Sequence, residues 1–429
     1  MSRTALRLGI LILIVTLPCW CAPQSAQSVA AGSPPPAQAP AQTSAPAGRR
    51  LNLAAALDLA ERQNLDLAAA RLLHSVAQAG TRIAGQIPNP GVSFSATRDT
   101  PHENLLLDQP FEIGGQRGRR IDVAKQQVVL TDVGIHAVQT DVRLRTREAF
   151  YAAALAHSRT AQLREVLGLA QRLQEIAKTR FDAGDVPQLE VLQADLQVSQ
   201  AQANVEVASQ QENVAFSALN ELLNEPAETP WDLSGSLDVL PLEIPLAELT
   251  RRAEGANADL QNLAQQVKVE QSRRVLLRAE RIPNLDVSAG TSLDKPPDFQ
   301  AALIGGVSLT LPVFSRNQGE IAQSEASERV LDASLLATRR AVNGRVEEAF
   351  YTFSAQQTQV NLYRTTVLPS GRQVETLAED SYRAGKASLL SVLDAQRNVQ
   401  QIERDYLDSL FSLQSAFAQL EQIVGESLD

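Results

Sequence analysis

The chain has 429 residues, of which 44% are hydrophobic, so it is long enough to bury more than one core. Its formal net charge of −10 argues against a nucleic-acid partner, because phosphate binding needs clustered basic side chains. The only cysteines are Cys19 and Cys21, so a chain cut beyond them has no disulfide and no cysteine-based metal site.

Residues 1–21 have the pattern of a secretory signal peptide. Arg3 and Arg7 precede a short apolar stretch, and small and polar residues follow it, so cleavage could fall anywhere up to residue 31. Neither cysteine follows a small residue, which argues against an acylated lipoprotein anchor. Residues 32–50 are rich in Pro, Ala, Ser and Gln without apolar periodicity, so we expect a disordered lead-in.

The rest of the chain is interpreted as two copies of one unit. The string Glu-Ala-Phe-Tyr at 148–151 returns letter for letter at 348–351, and further matches around it keep a nearly constant spacing. We therefore predict a tandem repeat, with a first copy at 51–225 and a second at 246–429. Proline and glycine break the pattern between them, so residues 226–245 form a connector.

Within each copy the periodicity of the apolar residues changes. The opening stretch of the first copy, from Leu51 to Gln86, is rich in Ala, Leu and Gln and is predicted to form one helix, and a helix also opens the second copy. Prolines end each helix, because proline lacks an amide donor. Apolar and polar residues then alternate with a period of two, which predicts one β-hairpin at 90–113 and another at 284–314.

A long helix pair follows each predicted hairpin. About sixty residues with little Pro or Gly allow a helix on the order of 90 Å in length. These runs end near Gly184 and Gly385, where glycine adopts a left-handed cap easily, and the chain restarts at Pro187 and Ser388. Each copy is thus predicted to end in a helical hairpin with its tip at the glycine, and the last helix carries apolar residues at coiled-coil spacing.

Four strands with one apolar and one polar face, in an exported chain, fit the wall of a transmembrane β-barrel. No stretch after the signal peptide is long and apolar enough to be a membrane helix. Four strands cannot close a barrel alone, and an open edge in lipid would leave backbone groups unpaired, so several chains must share one barrel. The alternative is a periplasmic coiled-coil scaffold protein with a small soluble sheet.

Four strings resemble one known family. Tyr-Arg-Ala-Gly-Lys-Ala-Ser at 382–388 and Arg-Phe-Asp-Ala-Gly at 180–184 are similar to the periplasmic hairpin tips of the TolC-like outer-membrane efflux protein family. The strings at 109–118 and 311–321 resemble the strand-to-helix junctions of its heavy-metal branch, which serves cobalt, zinc and cadmium export. The junction residues are Pro110, Gly118, Pro312 and Gly319.

This resemblance implies a mainly α-helical protein with a pair of membrane β-hairpins. It implies a homotrimer in the cell outer membrane, with a shared 12-strand β-barrel built from four strands per chain and a long α-helical barrel extending into the periplasm. The periplasmic end would dock on an adaptor protein and an inner-membrane resistance-nodulation-division (RND) transporter. The implied function is a passive efflux duct for heavy-metal cations, and the same duct for drugs or for type I secretion is the alternative.

The resemblance also suggests site residues at the tips. Asp394 matches a carboxylate near the narrow periplasmic opening, and Glu190 lies at a similar place in the first copy, so both are candidates for a gate. A plainer interpretation is that acids are favoured in the first turns of helices, and that Asp394 pairs with Arg397. Six further residues are candidates for adaptor docking: Ala183, Gly184, Leu189, Ala384, Gly385 and Leu390.

No arrangement of residues predicts an enzyme. The histidines His74, His102, His136 and His157 lack the spacing of metal ligands, and no Ser/His/Asp set or pair of carboxylates stands out. We therefore expect no catalytic residue, no resident metal and no cofactor.

Overall fold

A computed structural model describes residues 49–99, 101, 103–233, 244–294 and 301–428. The predicted signal peptide, nearly all of the predicted lead-in, His102 and residues 234–243 of the connector lie outside these ranges. The described part is mainly helical.

The elements before the connector are two short helices, a β-hairpin and a long helix pair, preceded by a short strand. They are β1 (Arg49–Leu51), α1 (Leu53–Gln63), α2 (Leu65–Ala84), β2 (Gly91–Ala96), β3 (Glu103–Phe111), α3 (Gln116–Asp182) and α4 (Gln188–Leu223). With 67 residues, α3 is about 100 Å long at 1.5 Å per residue.

A similar series follows the connector, which itself contributes a short strand. The elements are β4 (Trp231–Leu233), α5 (Leu246–Ala256), α6 (Ala258–Ala279), β5 (Leu285–Leu293), β6 (Ala301–Leu309), α7 (Gln318–Leu362), a π-turn (Tyr363–Val367), α8 (Leu368–Arg383) and α9 (Leu389–Val424). The π-turn interrupts a run that the sequence predicted as one α-helix.

The prediction of a single helix from Leu51 to Gln86 is wrong, because the helix is interrupted at Asn64. The backbone of Asn64 is extended, and its side-chain oxygen accepts a hydrogen bond from the amide of Leu67 at 3.1 Å. Its side-chain nitrogen donates to the carbonyl of Leu222 at the end of α4, at 3.1 Å. This buried asparagine therefore ends α1, caps α2 and ties both to the long helix pair.

The opening helix of the second half is divided in the same way, at Asn257. The side-chain oxygen of Asn257 accepts from the amide of Leu260 at 3.1 Å, and its nitrogen donates to the carbonyl of Ile423 in α9 at 2.7 Å. The prediction of one helix fails here for the same reason.

The two hairpins form one antiparallel sheet in the order β2-β3-β5-β6. Strands β3 and β5 pair along their full length, with Leu105 opposite Thr291 and Thr291 opposite Leu303. A second, two-stranded parallel sheet joins β1 to β4 and pairs Arg49 with Trp231. The sequence analysis did not predict this small sheet.

Two separate cores hold the helices together. The main core includes Phe150, Phe353 and Phe417, with the rings of Phe353 and Phe417 centred 5.7 Å apart. The second core, which we call the tip cluster, lies where the long helix pairs turn. Its buried members are Leu173, Ala177, Ala194, Tyr382, Leu389, Val392 and Leu393.

The asparagine caps give a test of how the short helices are held. Replacing Asn257 by Ala removes a helix cap and leaves the carbonyl of Ile423 without its donor, so we expect a loss of roughly 2–3 kcal/mol. The matched control is Asn52→Ala, because Asn52 is exposed and its side chain caps only the amide of Ala55, which predicts a loss of about 1 kcal/mol. Denaturation of both variants, followed by far-ultraviolet circular dichroism, measures the two losses of stability. Equal losses would contradict the role of Asn257 in fixing the start of α6 to α9.

Candidate functional site

The four-stranded sheet has one strongly apolar face. Cross-strand pairing puts Val92 beside Leu107 and Phe94 beside Leu105, and the same face continues through β5 and β6. These side chains are exposed, and Leu303 reaches 94%. Isolated exposed apolar residues are common, but a contiguous apolar face marks a contact with another protein or with lipid.

The opposite face of the sheet is polar and acidic. It carries Ser93, Ser288, Asp108 and Asp286, and the hydroxyl of Ser288 donates to the carbonyl of Gly306 at 3.3 Å. All charged residues of these four strands are acidic: Asp108 and Asp286 lie on this face, whereas Glu103 has the register of Leu105 and lies on the apolar face. A space bordered by this face has a potential that favours cations.

The predicted junction residues lie where the strands meet the long helices. Pro110 is in β3, opposite Asp286, whereas Pro312 follows β6. Gly118 and Gly319 lie inside the first turns of α3 and α7 rather than at the bends. The residues with left-handed backbone at these bends are Gly115, with φ 74°, and Asn317, with φ 54°.

The junction of the first half is tied to the second. The side chain of Gln116 donates to the carbonyl of Ile282 at 2.7 Å, just before β5. Arg120 forms an ion pair with Glu112, which raises the pKa of Arg120 mainly through their hydrogen bond. The start of α3 is therefore fixed to the residue after β3 and to the segment before β5.

Both tips turn at a glycine with left-handed backbone: φ is 80° at Gly184 and 70° at Gly385. In each turn the residue after the glycine donates its amide back into the preceding helix, from Asp185 to Arg180 at 2.9 Å and from Lys386 to Ser381 at 2.8 Å. The docking candidates Ala183, Gly184, Leu189, Ala384, Gly385 and Leu390 are all exposed. The structure therefore brings together the candidates of each tip on an accessible surface.

The two gate candidates have different surroundings. Asp394 is exposed, and its carboxylate lies 3.7 Å from Arg397, which is the ion pair expected from the plainer interpretation. Glu190 is half-buried in the first turn of α4, beside Tyr382 of α8. Glu190 thus faces the opposite helix pair, whereas Asp394 faces solvent.

Tyr382 is the tip residue that the sequence did not single out as a functional candidate. It is fully buried, and the guanidinium of Arg180 lies 5.0 Å from its ring centre. Burial raises the pKa of its hydroxyl, and the Glu190 carboxylate acts in the same direction, while Arg180 opposes them. A tyrosine at this position is visible in the sequence, but its burial depends on contact between the two tips.

Carboxylates are crowded between the tip cluster and the main core. Glu375 of α8 is half-buried, and burial raises the pKa of its carboxyl, with the Glu403 and Glu379 carboxylates adding to the rise. Arg372 acts in the opposite direction and lies 2.9 Å from Glu403. The α8–α9 contact is therefore electrostatically unfavourable when Glu375 is ionised.

Two of the histidines contact carboxylates, and His74 also contacts the side-chain amide of Gln78 at 2.7 Å. His74 pairs with Asp132, and His157 pairs with Glu212 at 2.6 Å. His136 borders a cavity of about 310 Å³ between α3 and the end of α9. In the described ranges no group of three or more His, Cys, Asp or Glu side chains could hold a metal ion.

Among the residues that the structure describes, no helix combines the length and apolar character needed to cross a membrane.

Comparison with known proteins supports the sequence resemblance. The family described as "Outer membrane efflux protein" matches residues 56–225 and 249–426. The chain is 29% identical to the cobalt-zinc-cadmium resistance protein CzcC of Cupriavidus metallidurans over 386 residues, 87% of this chain and 90% of that protein. It is 27% identical to the nickel-cobalt-cadmium resistance protein NccC of Alcaligenes xylosoxydans xylosoxydans over 237 residues, 54% of this chain and 52% of that one.

A solved structure of CusC, from a study of its folding and transmembrane channel formation, has a similar fold. Its TM-score is 0.70 at 17% identity, and the match covers 92% of this chain and 99% of that one. At 17% identity this similarity shows only that the two folds are alike.

The carboxylates between the two cores predict a dependence of stability on pH. Because the pKa of Glu375 is raised in the folded state, its contribution favours folding below its ordinary value of 4.5 and is lost as the pH rises through the folded-state pKa. We expect Glu375→Gln to raise the midpoint of thermal unfolding at neutral pH and to change it little below pH 4.5. An equal effect at both pH values would contradict this electrostatic account.

Proposed function

Because this chain belongs to the outer membrane efflux protein family, we propose that it is the outer-membrane duct of a tripartite RND-type export system for heavy-metal cations. The observation that carries the proposal is the sheet with an apolar and an acidic face, continuous with helices about 100 Å long. In this arrangement the apolar face contacts lipid and the acidic face borders the path of the cargo. The duct is passive, and energy comes from the partner transporter.

The open sheet argues that several copies share one barrel. Among the described strands, β2 and β6 each have a neighbour on one side only. In lipid such edges leave backbone groups unpaired at a cost of several kcal/mol each. Three copies that pair β2 of one chain with β6 of the next form a closed barrel of twelve strands, within the size range of membrane barrels.

The tip cluster points to the same assembly through the predicted repeat. Leu173 and Leu393 are buried in this cluster. Their counterparts 201 residues away are Val374 and Leu192, which are 57% and 56% exposed. Within one chain, α9 packs against α3. If α4 of a second copy packs in the same way against α8 of the first copy, the Leu192 and Val374 side chains become buried. The helices then form a ring that extends the barrel into the periplasm.

Two features favour heavy-metal cations as the cargo. The relatives CzcC and NccC are named for resistance to cobalt, cadmium and either zinc or nickel. Asp108 and Asp286 give the polar face of each chain two negative charges, and three copies multiply them around one passage. Transport of drugs or of a type I secretion substrate through the same duct is the alternative.

The tips are proposed as the periplasmic entrance. Glu190 and Asp394 are candidates for a gate that opens to admit cations, and the exposed residues around Gly184 and Gly385 are candidates for contact with the adaptor protein. Small residues at the tips allow close approach by another helical hairpin. No catalytic step is proposed.

Deletion of the gene tests the proposed cargo. We expect the deletion strain to become sensitive to zinc, cobalt or cadmium, and the protein to fractionate with outer membranes as a trimer. Unchanged metal tolerance with new sensitivity to drugs would favour the alternative cargo. A monomer that is soluble without detergent would instead favour the periplasmic scaffold and overturn the duct.

Two neighbouring residues test which face of the sheet meets lipid. Val92 and Ser93 are consecutive in β2 and lie on opposite faces. We expect Val92→Lys to reduce membrane assembly, because a lysine facing lipid costs up to about 2–4 kcal/mol near the bilayer centre. The control Ser93→Lys faces the passage and should assemble normally, as measured by the amount of trimer in outer membranes. Equal assembly of both variants would contradict the assignment of faces.

The aspartates of the polar face test the preference for cations. The double variant Asp108→Asn and Asp286→Asn removes two negative charges per chain, so we expect a lower ratio of cation to anion permeability in planar bilayers. Asp99→Asn is the matched control, because Asp99 lies in the turn after β2. An unchanged permeability ratio in the double variant would show that these carboxylates do not select the ion.

A further inference from the structure

The second long helical run contains a π-turn that the first run lacks. In this turn the amide of Leu368 donates to the carbonyl of Tyr363, five residues earlier, instead of four. By contrast, α3 continues without interruption from Gln116 to Asp182. The two helical hairpins of one chain therefore differ in one helical turn.

The repeat explains the π-turn as a one-residue insertion. Phe181 lies 30 residues after Tyr151, whereas its counterpart Tyr382 lies 31 residues after Tyr351. A π-turn holds one residue more than an α-turn, so the residues beyond it return to the original helical phase. Accordingly, Gly371 faces α9, where an added Cβ would lie 3.1 Å from Ile402, and its counterpart Ala170 is buried.

The π-turn lies between the two cores and belongs to neither. Val360, just before it, is buried in the main core, and Ala378, beyond it, packs on the tip cluster. No side chain of the π-turn is buried, and Arg364, Thr365 and Thr366 are exposed. Local opening is easiest where few apolar contacts protect the backbone hydrogen bonds.

The residues that follow also weaken the helix. Pro369 has no amide to donate, and Gly371 has a low helix propensity. Thr365 and Thr366 are β-branched, and Thr365 donates its hydroxyl to the carbonyl of Asn361, a bond that often bends helices. Helix kinks are typically found at proline and at π-turns, and both occur here within a few residues.

We propose that this π-turn is a hinge, at which the second tip can bend while its two helices slide along each other. The first tip has no such hinge. Two antiparallel helices can bend together only if one slides along the other. A π-turn permits such sliding, because its carbonyls can exchange between partners four and five residues away. The tip formed by α8 and the start of α9 can thus move relative to the main core while α3 stays straight. That this motion admits cargo rests on the proposed function, whereas the hinge itself does not.

Hydrogen exchange of the wild-type protein, purified from outer membranes, is the first test. We expect the amides of residues 364–368 and 370 to exchange at least about tenfold faster than those at 163–169, the matching part of α3, because the first segment opens locally and the second does not. Equal protection of the two segments would overturn the hinge. This readout involves no cargo, so a failure of metal export leaves it unaffected.

Deletion of Thr365 is the second test, since it restores the 30-residue spacing of the first copy. The deletion variant should assemble, because the phase beyond the turn is kept, and spin labels at Lys386→Cys on different copies should show a narrower range of distances than in the wild type. Deletion of Glu165, in the uninterrupted α3, is the control: it rotates the following residues by about 100° and should disrupt the tip cluster. An unchanged distance range after deletion of Thr365 would contradict the hinge.

If the Thr365 deletion variant fails to assemble, the variant Pro369→Ala takes its place. We expect it to slow hydrogen exchange within residues 364–370, and an unchanged exchange rate would equally contradict the hinge.

Discussion

The apolar face of the four-stranded sheet has to leave water, and its side chains are exposed in the chain alone. Lipid can cover this face, but lipid cannot pair the backbone groups along β2 and β6. Under the proposed function, the same sheet therefore requires both a membrane and further copies of the chain. In that proposed assembly its acidic face lines the inside, and the helices that continue from β3 and β6 form the wall of the passage below.

Sequence patterns were sufficient wherever the cause of the structure was local. The alternation around Val92 and Phe94 predicts a strand because side chains alternate between the two faces of a sheet. The glycine at position 184 predicts a turn because glycine adopts the left-handed backbone easily, and the structure has that backbone there. The family predicted from the tip and junction strings is confirmed. Each of these signals lies within a few neighbouring residues.

Features that depend on distant contacts could not be predicted. Asn64 looks like an ordinary polar position in a helix, and it breaks the helix by reaching the carbonyl of Leu222, 158 residues away. Tyr382 is buried because the other tip packs on it, which no local pattern reveals. The π-turn does leave a trace, but only as a single residue in the spacing of two repeats. Nor could spacing show that Glu190 is half-buried whereas Asp394 is exposed.

The small parallel sheet has a consequence for the order in which the chain folds. Arg49 pairs with Trp231, 182 residues later, so β1 has no strand partner until the connector has been made and exported. Contacts at such separation form slowly, because a large loop must close first. The start of the folded chain therefore waits for its middle, and β1 can complete its sheet only after residues 231–233 have become available.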